Sequence, residues 1–233
     1  MEALPMARID PHPADPGPRR GDRRDRRRRE TVGTAAGALA VAVLAMGLCP
    51  AFAHPNIVMT CRVLFNFDGP SVNGLGEVWT FDQTFSAELL KDFDADGDGR
   101  FSNSEAAAMQ SEIMRNLADS RYFTYVSIDG KDAGKLPVSG FRAEAKDGVV
   151  SIAFGVPVKT PLDPRIHTLS VEIKDPEFFV FASFAGDNPV LMRGDGAEAD
   201  GCVPKLVDDS AGAYFGGAII PEAATLSCGS RPR

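Results

Sequence analysis

Asp94-Ala-Asp-Gly-Asp-Gly-Arg-Phe-Ser-Asn-Ser-Glu105 places carboxylates at its first, third, fifth and twelfth residues. A hard divalent cation such as calcium takes six to eight oxygens, and twelve-residue loops supply them at this spacing. Asp94, Asp96 and Asp98 would give side-chain oxygens, Arg100 a backbone carbonyl, and Ser102 an oxygen acting through water. Glu105 is long enough to close the shell with both of its oxygens, and Gly99 permits the sharp turn at the sixth residue. Every slot of a calcium-binding EF-hand loop is filled.

The flanks agree with that reading. Phe85, Leu89, Leu90 and Phe93 precede the loop at helical spacing, and Met109, Ile113, Met114 and Leu117 follow it. A helix-loop-helix over about 83–119 is therefore expected. No second ligand series is visible, since Asp129-Gly-Lys and Gly194-Asp-Gly lack the remaining carboxylates. A lone hand has to pack on something else, so it should be an insertion docked on a larger core.

That core is expected to be mostly β. Ile57 to Asp68 and Glu77-Val-Trp-Thr-Phe-Asp82 read as a hairpin ahead of the helices. After them come Tyr122 to Ile128, Val138 to Ala145 and Val149 to Val158, separated by Asp129-Gly130 and Asp147-Gly148, which read as consecutive hairpins. His167 to Ile173, Phe178 to Phe184 and a last strand from Cys202 to Val207 complete the series. The expected class is α+β, mostly β: an antiparallel β-sandwich of seven or eight strands over 54–209. Residues 210–233, small and rich in Gly and Ala, read as a flexible tail.

Residues 1–53 have a different character. A basic leader with Arg26 to Arg29 in an unbroken run is followed by an apolar segment to Leu48 and by Ala51-Phe-Ala53. This is the pattern of a secretory signal peptide cleaved between Ala53 and His54, with a periplasmic mature protein as the consequence. The alternatives are a single membrane anchor, a twin-arginine export signal at Arg28-Arg29, or a start codon placed too early. Those 53 residues hold 9 of the 25 basic and 6 of the 32 acidic residues, so 16 basic face 26 acidic in the remainder. So acidic a chain disfavours nucleic acid and anionic lipid as partners and suits cations.

Cysteine and histidine are scarce. In an exported protein a disulfide between Cys61 and Cys202, both in expected strands, competes with Cys61 as a small buried hydrophobe, and Cys228 is left as an odd thiol. His54 at a processed terminus would combine an imidazole with an α-amine, and with His167 it forms a candidate site for copper, nickel or zinc. An ordinary strand residue at His167 is the plainer alternative. Asp175-Pro-Glu-Phe-Phe179 is an acidic and aromatic corner, read as a strand-to-strand turn. No nucleophile elbow, His-Glu-x-x-His, phosphate loop or dinucleotide fingerprint occurs, so no enzyme activity is expected.

Taken in order, Ala53-His-Pro55, Trp79-Thr-Phe-Asp82, Asp94 to Glu105, Tyr122-Phe-Thr124, Leu162-Asp-Pro164, Asp175-Pro-Glu-Phe-Phe179 and Gly201-Cys202 resemble domain-of-unknown-function family 1007. The resemblance covers roughly His54 to Val207. It implies a periplasmic component of an ABC-type transport system, many members being encoded near nickel, cobalt or zinc transport genes. The family's usual His-Pro-His opening departs here at Asn56, which removes one transition-metal ligand. A calcium-binding accessory protein partnered by an ABC-type or other metal transporter is the expectation; a transition-metal chaperone using His54 is the alternative.

Overall fold

The structure, a computed structural model, describes residues 55–196 and 201–229. The expected signal segment 1–53 and His54 lie outside the described residues. The described chain is mostly β, with two sheets and two α-helices.

Alternation in the sequence builds the first sheet. In β1 (Ile57–Asp68) it turns Met59, Cys61, Val63, Phe65 and Phe67 to one side, and all five are buried. β2 (Ser71–Phe81) runs back antiparallel, with Trp79 opposite Cys61 and Glu77 opposite Val63. β5 (Ser139–Lys146) and β6 (Val149–Leu162) form a second hairpin across Asp147-Gly148, both at positive φ (51° and 77°), as an Asp-Gly hairpin turn requires. β6 pairs with β2 and buries Val150, Ile152, Phe154 and Val156 on the same side as Trp79. Trp79 and Phe154 meet edge to face at 4.9 Å between ring centroids.

The far side of β1 is covered by two strands in succession. β8 (Val180–Phe184) pairs with its first half and β9 (Val190–Arg193) with its second, and both run parallel to it. The sheet order is β5-β6-β2-β1-β8, with β9 also on β1. Past β9 the chain lies hard against the β1–β2 turn. A Cβ at Gly194 would collide with the Phe67 carbonyl, and one at Gly196 with that of Gly69.

The second sheet has the order β10-β11-β7-β3-β4. It comprises β3 (Thr124–Ile128), the two-residue β4 (Lys131–Asp132), β7 (Leu169–Ile173), β10 (Cys202–Asp208) and β11 (Glu222–Cys228), all antiparallel. Val126, Leu169, Val171, Ile173, Ala224 and Leu226 from this sheet join the inward residues of the first in one hydrophobic cluster. Burying each of the Val, Leu and Ile side chains among them is worth about 1.5–3 kcal/mol.

Several expectations are corrected. The first sheet is mixed rather than antiparallel, because the chain leaves β7 in one sheet and enters β8 alongside β1 in the other. Eleven strands are present among the described residues instead of seven or eight. The β3 segment does not form a hairpin with β5; it turns at Asp129-Gly130 into β4, and the two longer strands belong to different sheets. The tail expected at 210–233 contains β11, which lies between β10 and β7 with Ala223, Ala224 and Leu226 buried. The disulfide joins Cys202 to Cys228, directly opposite one another across β10 and β11, while Cys61 is free and buried in the first sheet. The Cys61–Cys202 pairing fails because Cys202 faces Cys228 across the β10–β11 ladder, leaving Cys61 buried on the inward face of β1.

Both helices fall in the expected interval. α1 (Gln83–Phe93) starts at Asp82, whose carboxylate accepts the N–H groups of Thr84 (2.8 Å) and Phe85 (3.0 Å). Its other oxygen accepts the Val58 N–H at 2.9 Å, fixing the helix start to β1. On the buried face, Ser86 Oγ accepts the Val150 N–H at 3.0 Å and ties α1 to β6. Asp82→Ala is expected to destabilise the fold by about 1–2 kcal/mol, the scale of a lost N-cap. A shift of the urea midpoint reads this directly, and an unshifted midpoint would show the cap to be dispensable.

α2 (Asn103–Leu117) packs against β5 and buries Met109. It is followed by a 3-10 turn, Arg121–Phe123, in which three consecutive non-glycine residues have positive φ (57°, 55° and 52°). Left-handed backbone costs roughly 1–2 kcal/mol per such residue. Arg121 offsets part of that cost through a two-pronged pair with Asp132 (2.9 and 2.6 Å), a bond to the Gly134 carbonyl (3.0 Å) and stacking over Tyr125.

Candidate metal centre

The loop between α1 and α2 draws Asp94, Asp96 and Asp98 together. One carboxylate oxygen from each lies within 4.8 Å of the others. Three like charges this close repel, and backbone N–H groups pointing inward counter them. Asp94 accepts from Gly97 (2.9 Å), Asp98 (3.2 Å) and Gly99 (2.9 Å); Asp96 accepts from Asp98 (3.2 Å) and Asp98 from Arg100 (2.8 Å). Gly99, at φ 78°, makes the turn that aims its own N–H at Asp94.

Glu105 closes the far end of the loop. Its Oε1 accepts the Ala95 N–H at 2.7 Å and its Oε2 the Ser102 N–H at 2.8 Å, so one side chain staples the loop's start to its end. Ser102 is the N-cap of α2, and its hydroxyl oxygen in turn accepts the Glu105 N–H, completing a capping box. The Ser102 backbone N–H, then its hydroxyl and the Ala95 N–H, hold the Glu105 carboxyl below its ordinary range. Arg100 and Phe101 border β5 beside Ala143 and Ala145, and Phe101 packs on the core cluster, seating the loop on the sheet edge. Of the six residues read from the sequence as calcium ligands, the structure gathers the carboxylates of Asp94, Asp96 and Asp98, while Glu105 turns both of its oxygens onto backbone N–H groups of the loop.

The chemistry of this donor set is hard and anionic: carboxylate, hydroxyl and backbone oxygens without sulfur or imidazole. It fits calcium by charge and by ligand type.

The other sequence candidates lie apart from the loop. His167 Nδ1 is 2.7 Å from Asp129 Oδ2, whose second oxygen accepts the Thr168 N–H at 2.9 Å. This half-exposed pair closes the β3–β4 turn onto the segment before β7; His54 lies outside the described residues. Asp175 in the acidic corner is buried and accepts the N–H groups of Glu177, Phe179 and Val180 (3.1, 2.9 and 3.1 Å), the work of a turn-forming carboxylate.

One buried ionisable group stands outside the sequence candidates. Glu77 is 1% exposed, with Oε2 accepting the Trp79 Nε1–H at 3.0 Å and Oε1 lying 2.9 Å from the Thr124 hydroxyl. Burial raises its carboxyl to about 7, against the lowering by those two hydrogen bonds. Burial first, and then the Glu77 charge, push the Cys61 thiol well up. The alternation that turns Trp79 and Phe81 inward puts Glu77 on the same face, so the signal was present in the sequence.

The fold and this loop define a two-sheet β-protein carrying a helix-loop-helix with a carboxylate cluster. The sequence profile of the family described as "Protein of unknown function (DUF1007)" matches residues 39–213, and the chain belongs to that family. A relative from Spirochaeta aurantia, described as an uncharacterized 15.5 kDa protein in the trpE 3' region, is 27% identical over 143 residues. The match covers 60% of this chain and 97% of that protein.

Proposed function

We propose that the chain is a periplasmic calcium-binding accessory protein, without enzymatic activity, that serves an ABC-type metal transport system. The observation that carries the calcium reading is the convergence of the Asp94, Asp96 and Asp98 carboxylate oxygens within 4.8 Å, in a loop whose ends Glu105 joins. A divalent cation among three carboxylates removes their mutual repulsion, and the loop's inward N–H groups keep the carboxylates oriented for it. Exported calcium modules hold the ion at about 10⁻⁴ to 10⁻³ M, where calcium is plentiful outside the cytoplasm. In this reading the ion locks α1 and α2 onto the edge of the first sheet.

Export is supported by the Cys202–Cys228 disulfide and by the signal-like pattern ahead of His54. Among the described residues no helix is long and apolar enough to cross a membrane. The transporter association rests on the family resemblance and the acidic, cation-favouring composition.

Native mass spectrometry of the chain from His54, equilibrated with calcium and then with added copper, nickel or zinc, tests the reading. One calcium per chain, lost in Asp94→Ala, is expected. No calcium at millimolar concentration would contradict it, and a transition metal held in its place would favour the chaperone reading.

A further inference from the structure

Between the helix pair and the end of the first sheet lies a cavity of about 280 Å³. Its floor is Met59, Trp79 and Phe81, buried core residues of β1 and β2, and its walls include Phe85 of α1 with Ile113 and Leu117 of α2. Asn116, exposed to solvent, is the one polar side chain in the lining. The left-handed turn Arg121–Phe123 brings Phe123 into the same wall. Strained backbone of this kind persists where the surroundings over-determine it, often beside a binding site.

A pocket so lined offers water almost no partners, and apolar space of this kind accepts apolar ligands. A benzene ring fits in about 150 Å³, so this space suits a chain of roughly eight to twelve carbons. No cationic side chain lines it, and the acidic excess of the chain disfavours a carboxylate head group. The Asn116 amide can both donate and accept a hydrogen bond at the solvent edge. We propose that this cavity is a binding site for an aliphatic chain with a neutral, hydrogen-bonding head group, such as a fatty alcohol or an acyl ester. The tail lies between Phe85, Ile113 and Leu117 with its end toward Trp79, and the head lies at Asn116.

Trp79 is the only tryptophan of the chain, so its fluorescence reports on the floor of the cavity without labelling. The test is a titration with 10-bromo-1-decanol, whose terminal bromine quenches an indole it touches. Saturable quenching, reversed by unbrominated decanol, is expected. Ile113→Phe, which fills the cavity, and Leu117→Glu, which charges its wall, should each weaken it at least tenfold while circular dichroism shows the fold retained. Should one variant not fold, the other decides. A parallel titration with phosphatidylcholine vesicles carrying brominated acyl tails separates the sources. Quenching by both probes means that the site takes a lipid tail, and quenching by the alcohol alone means that it takes a free ligand. Quenching that never saturates, or that is unchanged in the folded variants, overturns the proposal.

Discussion

Glu105→Gln is expected to weaken calcium binding by about 100-fold or more, the upper end of what losing even an outer-shell partner costs a metal site. The substitution keeps the length of the side chain and removes its charge, so only one of its two terminal atoms remains an acceptor. In the wild type both oxygens are in use, on the Ala95 and Ser102 N–H groups that bracket the loop. The variant therefore loses charge at the closing position and one half of the staple together. Calorimetric titration at fixed ionic strength reads the change. An unaltered dissociation constant would place the ion elsewhere or remove it from the account.

The second large effect is a stability that falls as pH rises. Glu77 Oε1 and the Tyr122 carbonyl both lie 2.9 Å from the Thr124 hydroxyl, which has one proton to donate. The carbonyl can only accept. All three bonds are satisfied when Glu77 is protonated and donates to Thr124, Thr124 donates to Tyr122, and Trp79 donates to the other Glu77 oxygen. With its folded value raised from 4.5 to about 7, the carboxyl holds its proton more tightly in the folded state than in the unfolded state. The resulting stabilisation is fully present below pH 4.5 and is lost as pH rises through about 7. Its size is on the order of 3 kcal/mol.

Glu77→Gln should remove this dependence, because a glutamine amide can donate to Thr124 and accept from Trp79 without ionising. Urea unfolding at pH 5 and pH 8 should therefore show wild type losing stability relative to the variant. The difference between the two proteins matters more than either curve alone, since burial also raises the Glu172 carboxyl and paired aspartates such as Asp132 are held low. Parallel curves for the two proteins would show that Glu77 is ionised throughout.

Much of the fold was legible because its signals are local. The alternation of β1 and β2, the Asp-Gly turn at Asp147-Gly148 and the helical spacing around Leu89 and Met109 each depend on neighbours a few residues away. The same holds for the Asp94 to Glu105 loop, whose six candidate ligands come from twelve consecutive residues. Direction and partner choice are not local. Alternation looks identical in a parallel and an antiparallel strand, so the placing of β8 and β9 along β1 left no trace in their own residues.

β11 gives little strand signal because Glu222-Ala-Ala-Thr-Leu-Ser-Cys228 has no Val, Ile or aromatic residue. There the small side chains Ala223 and Ala224 fill buried positions between two neighbouring strands. The cysteine pairing depends on the same strand. Once Cys228 belongs to a strand paired with β10, Cys202 has a partner in register and Cys61 does not. Glu77 is hidden for another reason: its segment alternates as any half-buried strand does, although a carboxyl on the inward face needs partners. Trp79 supplies one from two residues away, but Thr124, 47 residues distant, becomes visible only when the sheets close over one core.

The account stands on calcium in the Asp94 to Glu105 loop, and the most direct test is a calcium titration followed by amide resonances in a nitrogen-15 correlation spectrum, with magnesium as the control. The Gly97, Asp98, Gly99 and Arg100 N–H groups all point at the proposed ligand carboxylates and should report on the ion first. Saturable shifts of those four resonances at one calcium per chain, with the second sheet unmoved, are the predicted result. Resonances that do not move at millimolar calcium, or shifts centred on His167 and Asp129 instead, would contradict it.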